Sequence, residues 1–128
     1  MEIILFTNFK VKRFLKFYLP IIIWAGIIFL LSSIPNLESG LEQDFLLRKI
    51  AHVLEYFILT FLLLRAFGNK SIILSIIIAV LYAFSDEYHQ TFVFGRHGAL
   101  KDVGINSIGI LLMSFMWYIR NKGRIIRK

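Results

Sequence analysis

The sequence predicts an all-α integral membrane protein, a four-helix bundle forming a single domain over residues 1–128. Three observations predict it. Of the 128 residues 58% are hydrophobic, against about 45 to 50% in soluble domains, and mean hydropathy is +0.72. Apolar runs near the length of one bilayer crossing, roughly 17 to 25 residues, recur four times, at about 14–31, 48–67, 71–90 and 102–119. No stretch between them is long or polar enough to build a soluble core of its own.

The chain opens on an apolar and basic arm, 1–16, that carries Lys10, Lys12, Arg13 and Lys16. It resembles the start of a secretory signal. The run that follows exceeds the ~7 to 15 residues of a signal core, and Ser-Ser-Ile-Pro after it offers no clear small-x-small cleavage site, so an uncleaved first helix is expected. Pro20 is expected one turn into that helix, where its missing N–H costs little. A polar loop at 32–44, with Pro35, Asn36, Glu38, Gly40, Glu42 and Asp44, has room for a short amphipathic turn.

The second span opens on Lys49, His52 and Glu55, and the i, i+3 and i, i+4 spacings put His52, Glu55 and Tyr56 on one face. Gly68-Asn69-Lys70-Ser71 is read as a tight turn with Gly68 as a helix C-cap. The third span closes with Tyr82, Asp86, His89 and Gln90 on one face, whereas Glu87 is expected to point about 100° away from Asp86. A loop at 91–100 leads to the fourth span, where Asp102, Asn106 and Gly109 form a polar and small stripe that lets a neighbouring helix approach closely. A strongly basic tail begins at Arg120.

The net charge of +7 is distributed as a membrane topology signal and argues against nucleic acid as a partner. Eleven of the fifteen Lys and Arg residues fall in the N-terminal arm, the turn between spans two and three, and the tail; Arg48, Lys49, Arg96 and Lys101 fall on the other side. The positive-inside rule then makes both termini cytoplasmic. Seven of the eight acidic residues, all but Glu2, lie on the opposite side or just inside the membrane there. The polar clusters of spans two, three and four are therefore expected at one extracytoplasmic face.

Ionisable residues within a span are expensive unless paired or hydrated, which makes them functional candidates. They equally serve as a structural network that ties four short helices together. Lys49, Lys101 and Glu87 read individually as solvated boundary charges. With no cysteine, chemistry must use imidazole, carboxylate, guanidinium, amine or amide. An acid and base reading takes His52, Asp86, Glu87 and His89 as catalytic candidates. A metal reading starts from His52-x-x-Glu55 and Asp86-x-x-His89, but that spacing is common by chance, and neither a metal nor any other cofactor is assigned. Ser85 beside Asp86 lacks the strand-turn-helix context of a nucleophile elbow.

The loop Gly95-Arg96-His97-Gly98 is more informative. Flanking glycines allow close approach of the backbone to a ligand, and Arg96 offers a planar fork suited to phosphate or carboxylate. A position between two glycines points to ligand contact, with Asp86 beside it, more than to a helix-to-helix brace. The ligand-binding set is Lys49, His52, Glu55, Asp86, Glu87, Gln90, Arg96, Asp102 and Asn106.

The order Lys49-x-x-His52, Ser-Asp-Glu-Tyr-His-Gln at 85–90, Gly95-Arg96, Lys101-Asp102 and Asn106-x-x-Gly109 resembles the VanZ-like membrane proteins. The resemblance covers most of 50–109, with the first span in register. Phe94 stands where the family's loop has proline, and Gly98 where a small hydroxyl residue is common. The resemblance implies a multi-pass protein of the cell membrane, of a kind linked to reduced susceptibility to the glycopeptide teicoplanin, and it supplies no settled catalytic mechanism. The expected partners are membrane lipids and an anionic lipid-linked cell-wall precursor or lipoglycopeptide. The rival readings are a membrane enzyme acting on a phospholipid or polyprenyl phosphate, and a structural or transport-associated scaffold. Oligomeric state stays open, since Gly109 suits a dimer interface as well as an internal contact.

Overall fold

The computed structural model describes residues 2–35, 44–68 and 71–126. The predicted amphipathic turn in the first loop, Asn69 and Lys70 of the second turn, and the last two basic residues lie outside the described residues. Four helices are long and apolar enough to cross a membrane: Thr7–Ser32, Phe45–Phe67, Ile72–Gln90 and Leu100–Arg124. Most large apolar side chains, among them Leu30, Ile73, Leu81, Leu111 and Phe115, face outward. This is the inverse of a soluble domain and suits a lipid solvent.

The first span is longer than its apolar run. Helix α1 (Glu2–Arg13) passes through one π-helical turn, Phe14–Tyr18, into α2 (Leu19–Ser32). Pro20 is therefore not near a free helix start, as the sequence reading has it, but within a continuous helix. The π turn is the accommodation: Leu19 N–H bonds back to the carbonyl of Phe14, five residues earlier. Pro20 donates nothing and its ring crowds the carbonyl four residues before it, and a locally widened turn relieves that clash.

Helix α3 (Asp44–Phe67) begins one turn before the expected start, and Gly68 ends it with φ 77° and a 2.8 Å bond from its N–H to the Leu64 carbonyl. That is the left-handed C-terminal residue expected there. Helix α4 (Ile72–Gln90) matches its predicted span. Helix α5 (Leu100–Ile126) runs on through the basic tail, whose Lys and Arg are good helix formers and favour the negative end of the helix dipole.

Helices α3, α4 and α5 pack on one another, and α2 leans against α3 and α4. The buried positions show why. On α3 they are Tyr56, Leu59, Thr60, Leu63 and Leu64, the i, i+3, i+4, i+7, i+8 stripe of one helix face. On α4 the stripe Ser75, Ala79, Ala83 is small, and Gly109 of α5 lies against the backbone of Val53 and Phe57, where a Cβ would collide with the Val53 carbonyl. Small residues at these seams let helix backbones meet in lipid. Gly109 thus serves an internal α3–α5 contact. The apolar core is built from Ile28, Tyr56, Leu59, Leu63, Ala79, Ala83, Val103 and Ile110.

Candidate anion pocket and buried acid cluster

Antiparallel packing of α2, α3, α4 and α5 brings the C-terminal ends of α2 and α4 together with the N-terminal ends of α3 and α5. A cavity of about 210 Å³ opens there, lined by Phe45, Arg48, Lys49, His52, Gln90, Gly95, Arg96, His97 and Asp102. Its walls come from α3, the end of α4, the 91–99 loop and the start of α5. Lys49 is paired with Asp102, tying the first turns of α3 and α5 together. Lys101 is exposed.

Arg96 bridges back to α2. Its Nε donates to the Ile34 carbonyl at 3.2 Å and one Nη to the Leu31 carbonyl at 3.1 Å, a second donor for Leu31, which also accepts the Ile34 N–H, so the guanidinium caps the end of that helix. The loop arginine therefore performs the brace role that the sequence reading assigned to helical residues. Burial and then the positive charge of Arg48 hold the Arg96 guanidinium below its ordinary value, with Asp86, Glu55 and Glu87 acting the other way. Among the described residues neither Arg48 nor Arg96 forms an ion pair with a carboxylate.

Behind the cavity lies a buried cluster. His52, Asp86 and Glu87 each place a nitrogen or carboxylate oxygen within 4.8 Å of the others. Asp86 and Glu87 are only 3% and 4% exposed, so Glu87 is not the outward boundary charge expected from its 100° offset. Its chain is long enough to curl toward α5, where the Ala99 N–H donates to Oε2 at 3.2 Å and Asn106 Nδ2 to Oε1 at 3.4 Å. A carboxylate that accepts the N–H just before α5 also complements the positive end of that helix. Gly98 makes this possible: a Cβ there would run into the Glu87 carbonyl. Gln90 Nε2 donates to Asp86 Oδ2 at 3.1 Å. His52 Nδ1 lies 3.4 Å from Glu55 Oε2, in ion-pair range without hydrogen-bond alignment.

His89 is placed elsewhere. Its ring stacks on Phe29 of α2 with centroids 4.3 Å apart, and Nε2 meets Ser33 Oγ at 2.9 Å. The pairing of Asp86 with His89 on one site is thus not formed, because α2 claims the imidazole. Sequence reasoning also missed Arg48, although it sits one turn before His52 at i, i+4, and it missed Tyr56 as the buried hydroxyl beneath the cluster.

A family model described as VanZ/LLP1 matches residues 3–121, nearly the whole chain. The chain belongs to the VanZ/LLP1 family. No curated protein and no solved structure matches it. Family membership makes this four-span chain a VanZ-family membrane protein, and the pocket and acid cluster fall inside the matched region.

Proposed function

We propose that the VanZ-family pocket binds a phosphate-bearing headgroup of a lipid-linked envelope component, at the extracytoplasmic face of the cell membrane. The observation that carries this reading is the meeting of Arg48 and Arg96 at one cavity, neither of them in an ion pair with a carboxylate among the described residues. Two like charges held together favour an anion between them, and a planar fork suits phosphate. Phe45 at the rim supplies an apolar wall for the attached chain. The orientation rests on the distribution of Lys and Arg, and a reporter fused after the last residue should read as cytoplasmic.

Arg48→Gln is the cleanest probe, because Arg96 also caps α2. In nanodiscs of phosphatidylcholine doped with polyprenyl phosphate, wild-type protein should retain the doped lipid through purification, and Arg48→Gln should retain about tenfold less, the scale of one charge-assisted contact. Equal retention would sink the reading. Susceptibility to teicoplanin in cells carrying either form asks whether the anion belongs to a lipoglycopeptide. A second reading, hydrolysis or transfer at that phosphate, is favoured by His52, which lines the cavity and lies within 4.8 Å of the buried acids; release of inorganic phosphate from the same lipid tests it.

A further inference from the structure

The cluster behind the cavity holds more unsatisfied polar atoms than a structural network needs. Among the described residues Asp86 Oδ1, Asn106 Oδ1 and Tyr56 Oη are buried without a hydrogen-bond partner, while Ser32 and Gln90 approach the Asp86 carboxylate and His52 Nδ1 faces Glu55. Tyr56 and Asn106 are fully buried and Asp86 is 3% exposed. Asn106 is anchored by its amide to Glu87, which leaves its carbonyl oxygen free beside the cluster. Native interiors pair such groups, so orphaned oxygens on Asp86 and on Asn106, which is bonded to Glu87, indicate a missing partner at the acid cluster. That partner must also offset two adjacent buried carboxylates. Lys49 is engaged with Asp102, and a protonated His52 would balance only one of the two.

We infer that His52, Asp86 and Glu87, with the carbonyl oxygen of Asn106, form a binding site for a divalent first-row transition ion such as Zn²⁺ or Mn²⁺. The donor set decides the class. One imidazole nitrogen with carboxylate and amide oxygens suits Zn²⁺ and Mn²⁺; Mg²⁺ and Ca²⁺ prefer oxygen alone, and copper(I) prefers the thiolates that this chain lacks. Glu55 is the outer carboxylate beside the imidazole, the arrangement that orients ligating histidines. His52 reaches both the cluster and the cavity wall, so the cavity is the route by which an ion enters. The ligands come from α3, α4 and α5, so a bound ion fastens the three helices together at the site end.

The metal site stands apart from the anion reading, and its test measures metal rather than lipid. Protein without a histidine tag is treated with chelator in detergent, titrated separately with Zn²⁺, Mn²⁺ and Mg²⁺, freed of excess ion, and assayed for bound metal per chain and for Tm. One equivalent of Zn²⁺ or Mn²⁺ with a raised Tm, and no stoichiometric Mg²⁺, is the expected result. Asp86→Asn and Glu87→Gln should abolish stoichiometric binding, Glu55→Gln should weaken it about 10- to 100-fold, and His89→Gln should retain it. Failure of the wild-type protein to bind one equivalent overturns the site without recourse to any variant. So does stoichiometric metal that survives in folded Asp86→Asn and Glu87→Gln.

Discussion

Helix α2 and the α3–α4–α5 unit face the same lipid but are held by different means. Within the most apolar window of the first span 6% of residues are buried, against 28%, 28% and 33% in the other three. The three-helix unit meets along small residues, Ser75, Ala79, Ala83 and Gly109, where dispersion between close backbones does the holding. The α2 helix buries Ile28 and Ser32, packs the partly buried Ile21 and Trp24 on the core, stacks Phe29 on His89, and is further tied on by polar links. Trp24 Nε1 donates to the Glu55 carbonyl at 2.9 Å, Tyr82 Oη to the Ala25 carbonyl at 2.5 Å, and Arg96 to the two carbonyls at the end of α2. Lipid tails are as apolar as leucine, so exclusion of water cannot drive α2 onto its neighbours within the bilayer. Hydrogen bonds and stacking must do so.

The largest effect should come from the seam between α3 and α5. Gly109→Ala puts a methyl group against the Val53 carbonyl. Overpacking of this kind costs about 1 to 3 kcal/mol, read as a fall in Tm in detergent with the whole bundle loosened. Gly26→Ala on α2 meets nothing within 4 Å and should hold or slightly raise Tm, because alanine is favoured over glycine in a helix by about 0.5 to 1 kcal/mol. Equal responses at the two glycines would erase the distinction between a packed unit and a tethered helix.

A smaller and more local effect is expected at Arg96. Hydrogen bonds from charged groups contribute about 1.5 to 3 kcal/mol each when desolvated, and this guanidinium is half-buried, so Arg96→Gln should cost about 1 kcal/mol. Hydrogen exchange should speed up in the last turn of α2 while the α3–α5 seam keeps its protection. Arg96→Lys preserves charge but loses the fork that spans two carbonyls, and should sit between wild type and Gln. Loss of protection in α5 as well would make Arg96 part of the packed unit.

This difference also explains what could be read from the chain. Spans, the inward face of α3 and the stripe Asp102, Asn106, Gly109 follow from helical periodicity, so the gathering of His52, Asp86, Gln90 and Asn106 was legible. Small residues at 75, 79 and 83 carried the same signal for α4. Several contacts to α2 were not legible, because they join side chains to backbone carbonyls, and a carbonyl leaves no residue type to recognise. His89 looked like a site imidazole for a different reason: its side-chain partners Phe29 and Ser33 are fixed by where α2 leans. Glu87 was misplaced for another: a 100° offset describes the direction of Cβ, and a glutamate's additional bonds let the carboxylate return to its neighbour's side.

The smallest effect should come from Tyr82, and it isolates one tether. Its hydroxyl donates to the Ala25 carbonyl at 2.5 Å, while its ring lies 6.3 Å from that of Tyr56 on the other side. Tyr82→Phe removes the donor and keeps the ring, so packing against Tyr56 survives and the loss reports the hydrogen bond alone. Hydrogen bonds between membrane helices average about 0.6 kcal/mol, and a Tm shift of about one to three degrees corresponds to that in a protein of this size. Trp24 should keep the middle of α2 in place, since its bond to the Glu55 carbonyl is on a different helix. Combining Tyr82→Phe with Trp24→Phe removes both mid-helix tethers, and if α2 is held by them the double change should free it by more than the sum of the singles. Strict additivity with unchanged exchange in α2 would show that Ile28, Ser32 and the surrounding lipid suffice to seat the helix.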